Sequence, residues 1–111
     1  MEKKLYKSHA KIWQVFSSPK RLEILNLLRD VELSVGQLAR LANVRQANLS
    51  QHLSILRETG IVKTRRDGVT IYYSLATLKV VKAFDIINEL LLEKLAEAEK
   101  LSQEIRETKK A

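Results

Sequence analysis

The stretch Ser34–Gly60, SVGQLARLANVRQANLSQHLSILRETG, contains two short amphipathic segments separated by a tight turn near Asn43. Ser34 and Gln37 form a capping-box pattern that begins the first segment, and Gly60 ends the second, which runs from about residue 45 to 58. The apolar stripes are Val35, Leu38, Leu41 and Ala42 in the first segment and Leu49, Leu53 and Leu56 in the second. The spacing therefore predicts a helix-turn-helix over residues 34–58.

A β-hairpin is predicted directly after this stretch, over residues 61–75. Two β-prone runs, Ile61–Arg66 and Val69–Leu75, flank the dipeptide Asp67–Gly68, which is a strong hairpin signal. We call this hairpin the wing. Tyr72 and Tyr73 alternate across its second strand, so one of the two packs inward and the other points out.

Helices are predicted on both sides of the helix-turn-helix and wing. Apolar residues at helical spacing indicate a first helix over residues 5–16, and Ser18–Pro19 begins a second that ends near Asp30. Residues 77–108 contain no Gly or Pro and repeat apolar residues every three or four positions, which predicts one long helix. The fold class is mainly α with one β-hairpin, a winged helix-turn-helix formed by a single domain over residues 1–111.

Composition limits the function classes that remain. The 111 residues carry a formal charge of +7 and no Cys, which excludes disulfides and thiolate chemistry and favours a polyanionic partner such as nucleic acid. No enzyme motif, membrane span or signal segment is apparent, so we expect a cytoplasmic protein that is not an enzyme.

The predicted second helix of the helix-turn-helix has the properties of a DNA-reading helix. No Asp or Glu occurs over Arg45–Arg57, and polar side chains crowd its first turns, while the wing adds a cluster of cations. The predicted DNA-binding residues are Arg45, Gln46, Asn48, Ser50 and Gln51 on the helix and Lys63, Arg65 and Arg66 on the wing. A solvated polar face is the alternative for any single helix, but the neighbouring basic wing favours double-stranded DNA as the partner.

Three quoted stretches resemble the ArsR family of small, dimeric winged-helix repressors. They are Ser17–Leu25 (SSPKRLEIL), Asn48–Val62 (NLSQHLSILRETGIV) and Val69–Leu75 (VTIYYSL). The resemblance implies a repressor that leaves its operator when an inducer binds, with the first and last helices forming the dimer interface. The predicted interface residues are Leu5, Ile12, Val80, Phe84, Ile87, Leu91 and Leu95.

The long last helix supports a homodimer independently, because a small domain cannot cover its whole apolar stripe. The alternative is a polar, frayed end to that helix. With a dimer, the sequence favours a DNA-binding transcriptional regulator acting as a repressor on an inverted-repeat operator. The alternatives are a winged-helix protein-interaction module and a sequence-tolerant architectural DNA-binding protein.

The chain departs from the metal-sensing members of this family. Ser34 and Gly36 stand where such members often carry two Cys, and no His occurs from Leu53 to the end of the chain. We therefore expect no metal and no cofactor, and an inducer that is an unidentified small molecule or protein, if one exists. His52 is expected to have a structural or phosphate-contacting role, and His9 to be a solvent-exposed helix residue; protonation of either could tune DNA affinity.

Overall fold

Five helices and three short strands make up residues 2–110, the part of the chain that this computed structural model describes. Their order is α1 Lys3–Val15, α2 Pro19–Leu27, β1 Leu33–Ser34, α3 Val35–Leu41, α4 Gln46–Glu58, β2 Val62–Asp67, β3 Thr70–Leu75 and α5 Lys79–Lys110. The chain divides into two compact units, the first ending at Val80 and the second beginning at Val81. The winged helix-turn-helix predicted from the sequence is confirmed.

The three strands form one antiparallel sheet in the order β1-β3-β2. The predicted hairpin is present, but its turn lies at Gly68–Val69 because Asp67 pairs with Thr70. The expectation that Asp67–Gly68 forms the turn was therefore wrong by one residue. Gly68 has a φ of 62°, and Val69 is not left-handed, which is the pattern of a type II′ turn with glycine first.

The helix-turn-helix owes its short connection to the way that α3 ends. Asn43 adopts a left-handed conformation with a φ of 51°, and the Val44 N–H donates to the Ala39 carbonyl at 3.0 Å. At the end of α4, Gly60 has a φ of 75° and the Ile61 N–H donates to the Leu56 carbonyl at 3.2 Å. Both are Schellman motifs, which satisfy the last carbonyls and turn the chain within two residues.

The boundaries of three helices differ from the sequence expectation by two or three residues at most. Helix α2 ends at Leu27 rather than near Asp30, which itself has a φ of 59° and cannot continue a helix. Helix α5 begins at Lys79 rather than at residue 77, because the Thr77 hydroxyl accepts a hydrogen bond from the Lys79 N–H at 3.2 Å. The first helix lies at Lys3–Val15, one to two residues before its predicted position.

The core of the first unit is built from the leucines that the helical spacing indicated. Leu38 of α3 and Leu49, Leu53 and Leu56 of α4 are fully buried. Ile24, Leu25 and Leu28 of α2, together with Val15, Ile61, Val62 and Tyr73, complete the cluster. Tyr73 is therefore the tyrosine that packs inward, and Tyr72 lies on the opposite face of the wing.

Helix α5 is a single helix of 32 residues, about 48 Å long at 1.5 Å per residue. It contains no buried residue, and large apolar side chains such as Leu91 and Leu95 are exposed along it. Across residues 2–110, no helix combines the length and apolar character that a membrane crossing requires.

Candidate nucleic-acid interface

The outward face of α4 is small and polar over its first three turns. Because a helix turns once every 3.6 residues, the buried leucines place Ala47, Gln51 and Ser54 in a row on the opposite side. All three side chains are exposed, and the carboxylate of the helix, Glu58, comes at its last residue. The sequence analysis did not name Ala47 and Ser54, although the helical repeat of the leucines already placed them beside Gln51.

The other predicted residues of α4 lie on the borders of this row. Asn48 lies on one border, and Gln46 and Ser50 lie on the other, with all three exposed. The Ser50 hydroxyl donates its proton to the Gln46 carbonyl at 2.9 Å, so it can accept a hydrogen bond from a ligand but cannot donate one while this contact is kept. Asn48 and Gln51 are thus the amides best placed to reach a base edge.

The N-terminus of α4 has no side-chain cap, unlike those of the two preceding helices. Ser18 caps α2 and Ser34 forms a complete capping box with Gln37 on α3, whereas Arg45 precedes α4 without capping it. Free N–H groups in a first turn and a positive dipole end are favourable to a phosphate. Arg45 is exposed at the same end and adds its own charge there.

The wing cations, predicted as one group, lie on two different faces of the sheet. Arg66 pairs with Ile71, on the face that carries the core residues Val62 and Tyr73. Arg65 pairs with Tyr72, and Lys63 lies two residues before Arg65, so both belong to the outer face. The sheet face that packs on the core shared with α4 therefore also carries Arg66, near the end of the wing.

Arg65 is held on the outer face by a carboxylate and an aromatic ring. Its Nη2 lies 2.6 Å and its Nε 3.1 Å from Oε1 of Glu32, the residue before β1. Its guanidinium carbon lies 4.7 Å from the centre of the Tyr72 ring. The hydrogen bond from Arg65 also lowers the pKa of Glu32, with Lys63 adding a smaller charge effect, so this carboxylate is ionised at neutral pH.

The predicted dimer residues have mixed environments. Leu5 and Ile12 on α1 and the α5 residues Ile87, Leu91 and Leu95 are exposed, as is Trp13, with 61% of its surface accessible. Phe84 is half-buried. Val80 differs from the rest because it packs against the core of its own unit.

The segment at which metal-sensing relatives were expected to carry thiolates is used here for structure. The Ser34 hydroxyl accepts from the Gln37 N–H at 3.2 Å, and Gln37 Oε1 accepts from the Ser34 N–H at 2.8 Å. Within residues 2–110, no three His, Cys, Asp or Glu side chains come together in a way that could hold a metal ion.

Comparison with known proteins places the chain among bacterial regulators. The family model described as "Bacterial regulatory protein, arsR family" matches residues 18–64, from the N-cap of α2 to the third residue of β2. The transcriptional activator HlyU of Vibrio cholerae is 38% identical over 77 residues, which cover 69% of this chain and 71% of that protein.

Two solved structures are similar over most of the fold. The crystal structure of Rv0081 from Mycobacterium tuberculosis matches with a TM-score of 0.80 and 34% identity, covering 87% of this chain and 97% of that one. The homodimeric winged helix-turn-helix DNA-binding domain of Mb0332 from Mycobacterium bovis, solved in solution, matches with a TM-score of 0.73 and 28% identity, covering 80% and 82% of the two chains.

Proposed function

Because the chain belongs to the ArsR family of bacterial regulatory proteins, we propose that it is a homodimeric repressor of an inverted-repeat operator. The family is one of DNA-binding transcriptional regulators, which are not enzymes. In the proposed complex, one α4 helix enters the major groove of each half-site, and the two half-sites are centred about 34–36 Å apart or a multiple of that distance.

The observation that carries the proposal is the outward row of α4. Small side chains at Ala47 and Ser54 let the helix approach the groove floor, and they leave Gln51 as the long side chain between them. An Asn or Gln amide can bond adenine N6 and N7 at the same time, and each good pair contributes about 1–3 kcal/mol of discrimination. Asn48 and Gln51 are the proposed base-reading residues.

The phosphate contacts are proposed for the two ends of this surface. Arg45 and the uncapped N–H groups of α4 bind one phosphate, and Arg66 at the end of the wing binds another. Gln46 and Ser50, on the border of the outward row, contact the DNA backbone that forms the wall of the groove. Lys63 and Arg65 lie on the outer face of the wing, opposite to Arg66, and are assigned no phosphate contact in this proposal.

The homodimer is proposed from the exposed apolar residues of α1 and α5. A monomer rarely leaves this many large apolar side chains in water, and a second copy offers the same surface in two-fold symmetry. Mb0332, which is similar to this chain, is described as homodimeric. Occupation of promoter DNA by such a dimer blocks polymerase, which is why we propose repression although HlyU is named an activator.

Selection of duplexes from random DNA tests the function directly. We expect an enriched sequence with two-fold symmetry, bound by a dimer and protected at two half-sites. Asn48→Ala and Gln51→Ala are expected to relax the preference at defined base pairs by about five- to 150-fold, the range of a lost bidentate pair.

Glu58→Gln is the matched control, because it changes a side chain of the same outward row two turns further along α4. It should leave base preference unchanged. No enrichment of any sequence, or identical base preferences in all four proteins, would refute the assignment of α4.

A further inference from the structure

Arg21 of α2 lies where three helices meet. Its Nε donates to the Val15 carbonyl at 2.8 Å and its Nη2 to the Gln14 carbonyl at 3.3 Å, both in the last turn of α1. Its Nη1 lies 3.3 Å from Nδ1 of His52, on α4. One guanidinium group therefore joins the C-terminal end of α1 to the helix proposed to read DNA.

The hydrogen bond from Arg21 determines the protonation state and tautomer of the His52 imidazole. A guanidinium group has donors and no acceptor, so Nδ1 of His52 must accept the hydrogen bond. The ring is then neutral, with its proton on Nε2. A protonated ring would place two donors and two positive charges at this contact.

We propose that Arg21 is a positioning residue that sets the rotation of α4 through the neutral imidazole of His52, and that the protein loses sequence discrimination when this contact is broken. The inference rests on the proposed function, because it concerns how the base-reading side chains are aimed. His52 follows Asn48 by four residues, so the two side chains lie on the same side of α4, one turn apart.

The second cation at the start of α2 strengthens the junction. Lys20 donates to the carbonyl of Ala42, the C-cap residue of α3, at 2.8 Å. It also pairs with Glu23 at 3.2 Å. Lys20 thus holds the end of α3, and Arg21 holds both α1 and α4. The first turn of α2 fixes the two helices of the helix-turn-helix relative to each other.

The surroundings of His52 favour its neutral form. Burial lowers its pKa, and the charges of Arg21 and Lys20 lower it further. The charged groups that act on it come from α2, while α1 brings backbone carbonyls to the same guanidinium. Because the folded pKa lies below 6.5, the ordinary pKa of a histidine, the contribution of this contact is fully present above pH 6.5 and is lost as pH falls through the folded pKa.

The expected pH effect is opposite in sign to the simple electrostatic one. A proton added near a polyanion would strengthen DNA binding by charge alone. Protonation of His52 instead removes the acceptor that Arg21 needs, so binding to the preferred duplex should weaken in acid. Binding to random duplex, which depends on phosphates, should not weaken.

Substitutions at His52 test the contact by fluorescence anisotropy with the selected duplex and a random duplex of equal length. In His52→Asn, the amide oxygen keeps an acceptor close to the position of Nδ1, and this oxygen is not protonated in the pH range of the assay. In His52→Leu, the side chain keeps its bulk but has no acceptor. At pH 7.5 we expect His52→Asn to bind the selected duplex within about threefold of wild type. His52→Leu and Arg21→Lys should bind it about ten- to 150-fold more weakly, as expected for one hydrogen bond to a charged group.

The pH profile supplies a readout that a purely structural role would not move. As pH falls from 7.5 through the folded pKa of His52, wild type should lose affinity for the selected duplex relative to His52→Asn, by at most tenfold for each pH unit below that pKa. His9→Gln is the control for the other histidine and should follow wild type. Thermal unfolding of each variant shows whether it remains folded at the assay temperature.

The outcomes separate this inference from the proposed function. If wild type does not prefer the selected duplex over random DNA, the proposed function fails. If wild type prefers it and a folded Arg21→Lys or His52→Leu does so equally, or if wild type and His52→Asn share one pH profile, the positioning role is overturned. Parallel loss of affinity for both duplexes would also overturn it and would make Arg21 and His52 phosphate contacts.

Discussion

Arg65 and Arg66 are adjacent in the chain but should affect DNA binding differently. The sequence alone predicts that either Arg→Ala substitution weakens binding to all duplexes and reduces its salt dependence. The structure places Arg66 on the core face of the wing and Arg65 on the outer face, where two nitrogens bond Glu32. We therefore expect Arg66→Ala to reduce the salt dependence and Arg65→Ala to leave it almost unchanged.

The magnitude follows from counterion release. Each phosphate neutralised contributes about 0.9 to the slope of log K against log salt. The proposed dimer presents Arg66 twice, so Arg66→Ala should reduce the slope by about 1.8. Between 50 and 200 mM salt, a fourfold change, wild type should then lose about twelvefold more affinity than Arg66→Ala.

Binding is measured by anisotropy at four or more salt concentrations with the selected duplex. Lys100→Ala, which removes one exposed cation of α5, controls for the change in net charge. A slope reduced equally by Arg65→Ala and Arg66→Ala would show that the wing meets DNA with both faces. An unchanged slope for Arg66→Ala would remove the wing from the interface.

Three further outcomes are expected. Gly60→Ala should destabilise the fold by about 1–2 kcal/mol because a φ of 75° is strained for any residue with a Cβ. Gly36→Ala should instead stabilise it by about 0.5–1 kcal/mol, since the new Cβ meets only Ser34 Oγ at 4.0 Å. If the urea unfolding midpoints of both variants shift in the same direction, the prediction is wrong. Leu91→Lys should shift the protein toward monomer in sedimentation at micromolar concentration, and a dimer of undiminished stability would place the interface elsewhere. Stoichiometric Zn²⁺ should leave the operator complex intact, since the Ser34 hydroxyl caps α3 at a position where metal-sensing members of the family often carry a Cys. Release of the DNA on addition of Zn²⁺ would contradict this prediction.

Local signals in the sequence were sufficient for the five helices and the wing hairpin. The capping box at Ser34 and Gln37 and the glycine at residue 60 both act within one turn of helix, so their effect depends little on the rest of the chain. The leucine stripe of α4 predicted the core side correctly, and the same stripe determines which side chains face outward. For this reason Asn48 and Gln51 could be identified from sequence as candidate readers.

Pairings between distant residues could not be predicted in this way. Strand β1 has two residues and is defined by its partner β3, so it carries no periodicity of its own. The contact of Glu32 with Arg65 joins residues 33 apart, and that of Arg21 with His52 joins residues 31 apart. The shift of the wing turn by one residue likewise follows from strand register, which depends on which side chains enter the core.

These long-range contacts bear on how a signal could reach the DNA-reading helix. With no Cys in the chain, and with Ser34 used as a cap, a thiolate-based signal is excluded. Under the positioning role proposed for Arg21, a displacement of the end of α1 would be passed to α4, because the last carbonyls of α1 and the imidazole of His52 share the guanidinium of Arg21. A shift of that last turn by one hydrogen-bond length would then withdraw the donor from His52, so this proposal predicts that a ligand bound at the end of α1 weakens DNA binding without approaching the DNA-binding surface.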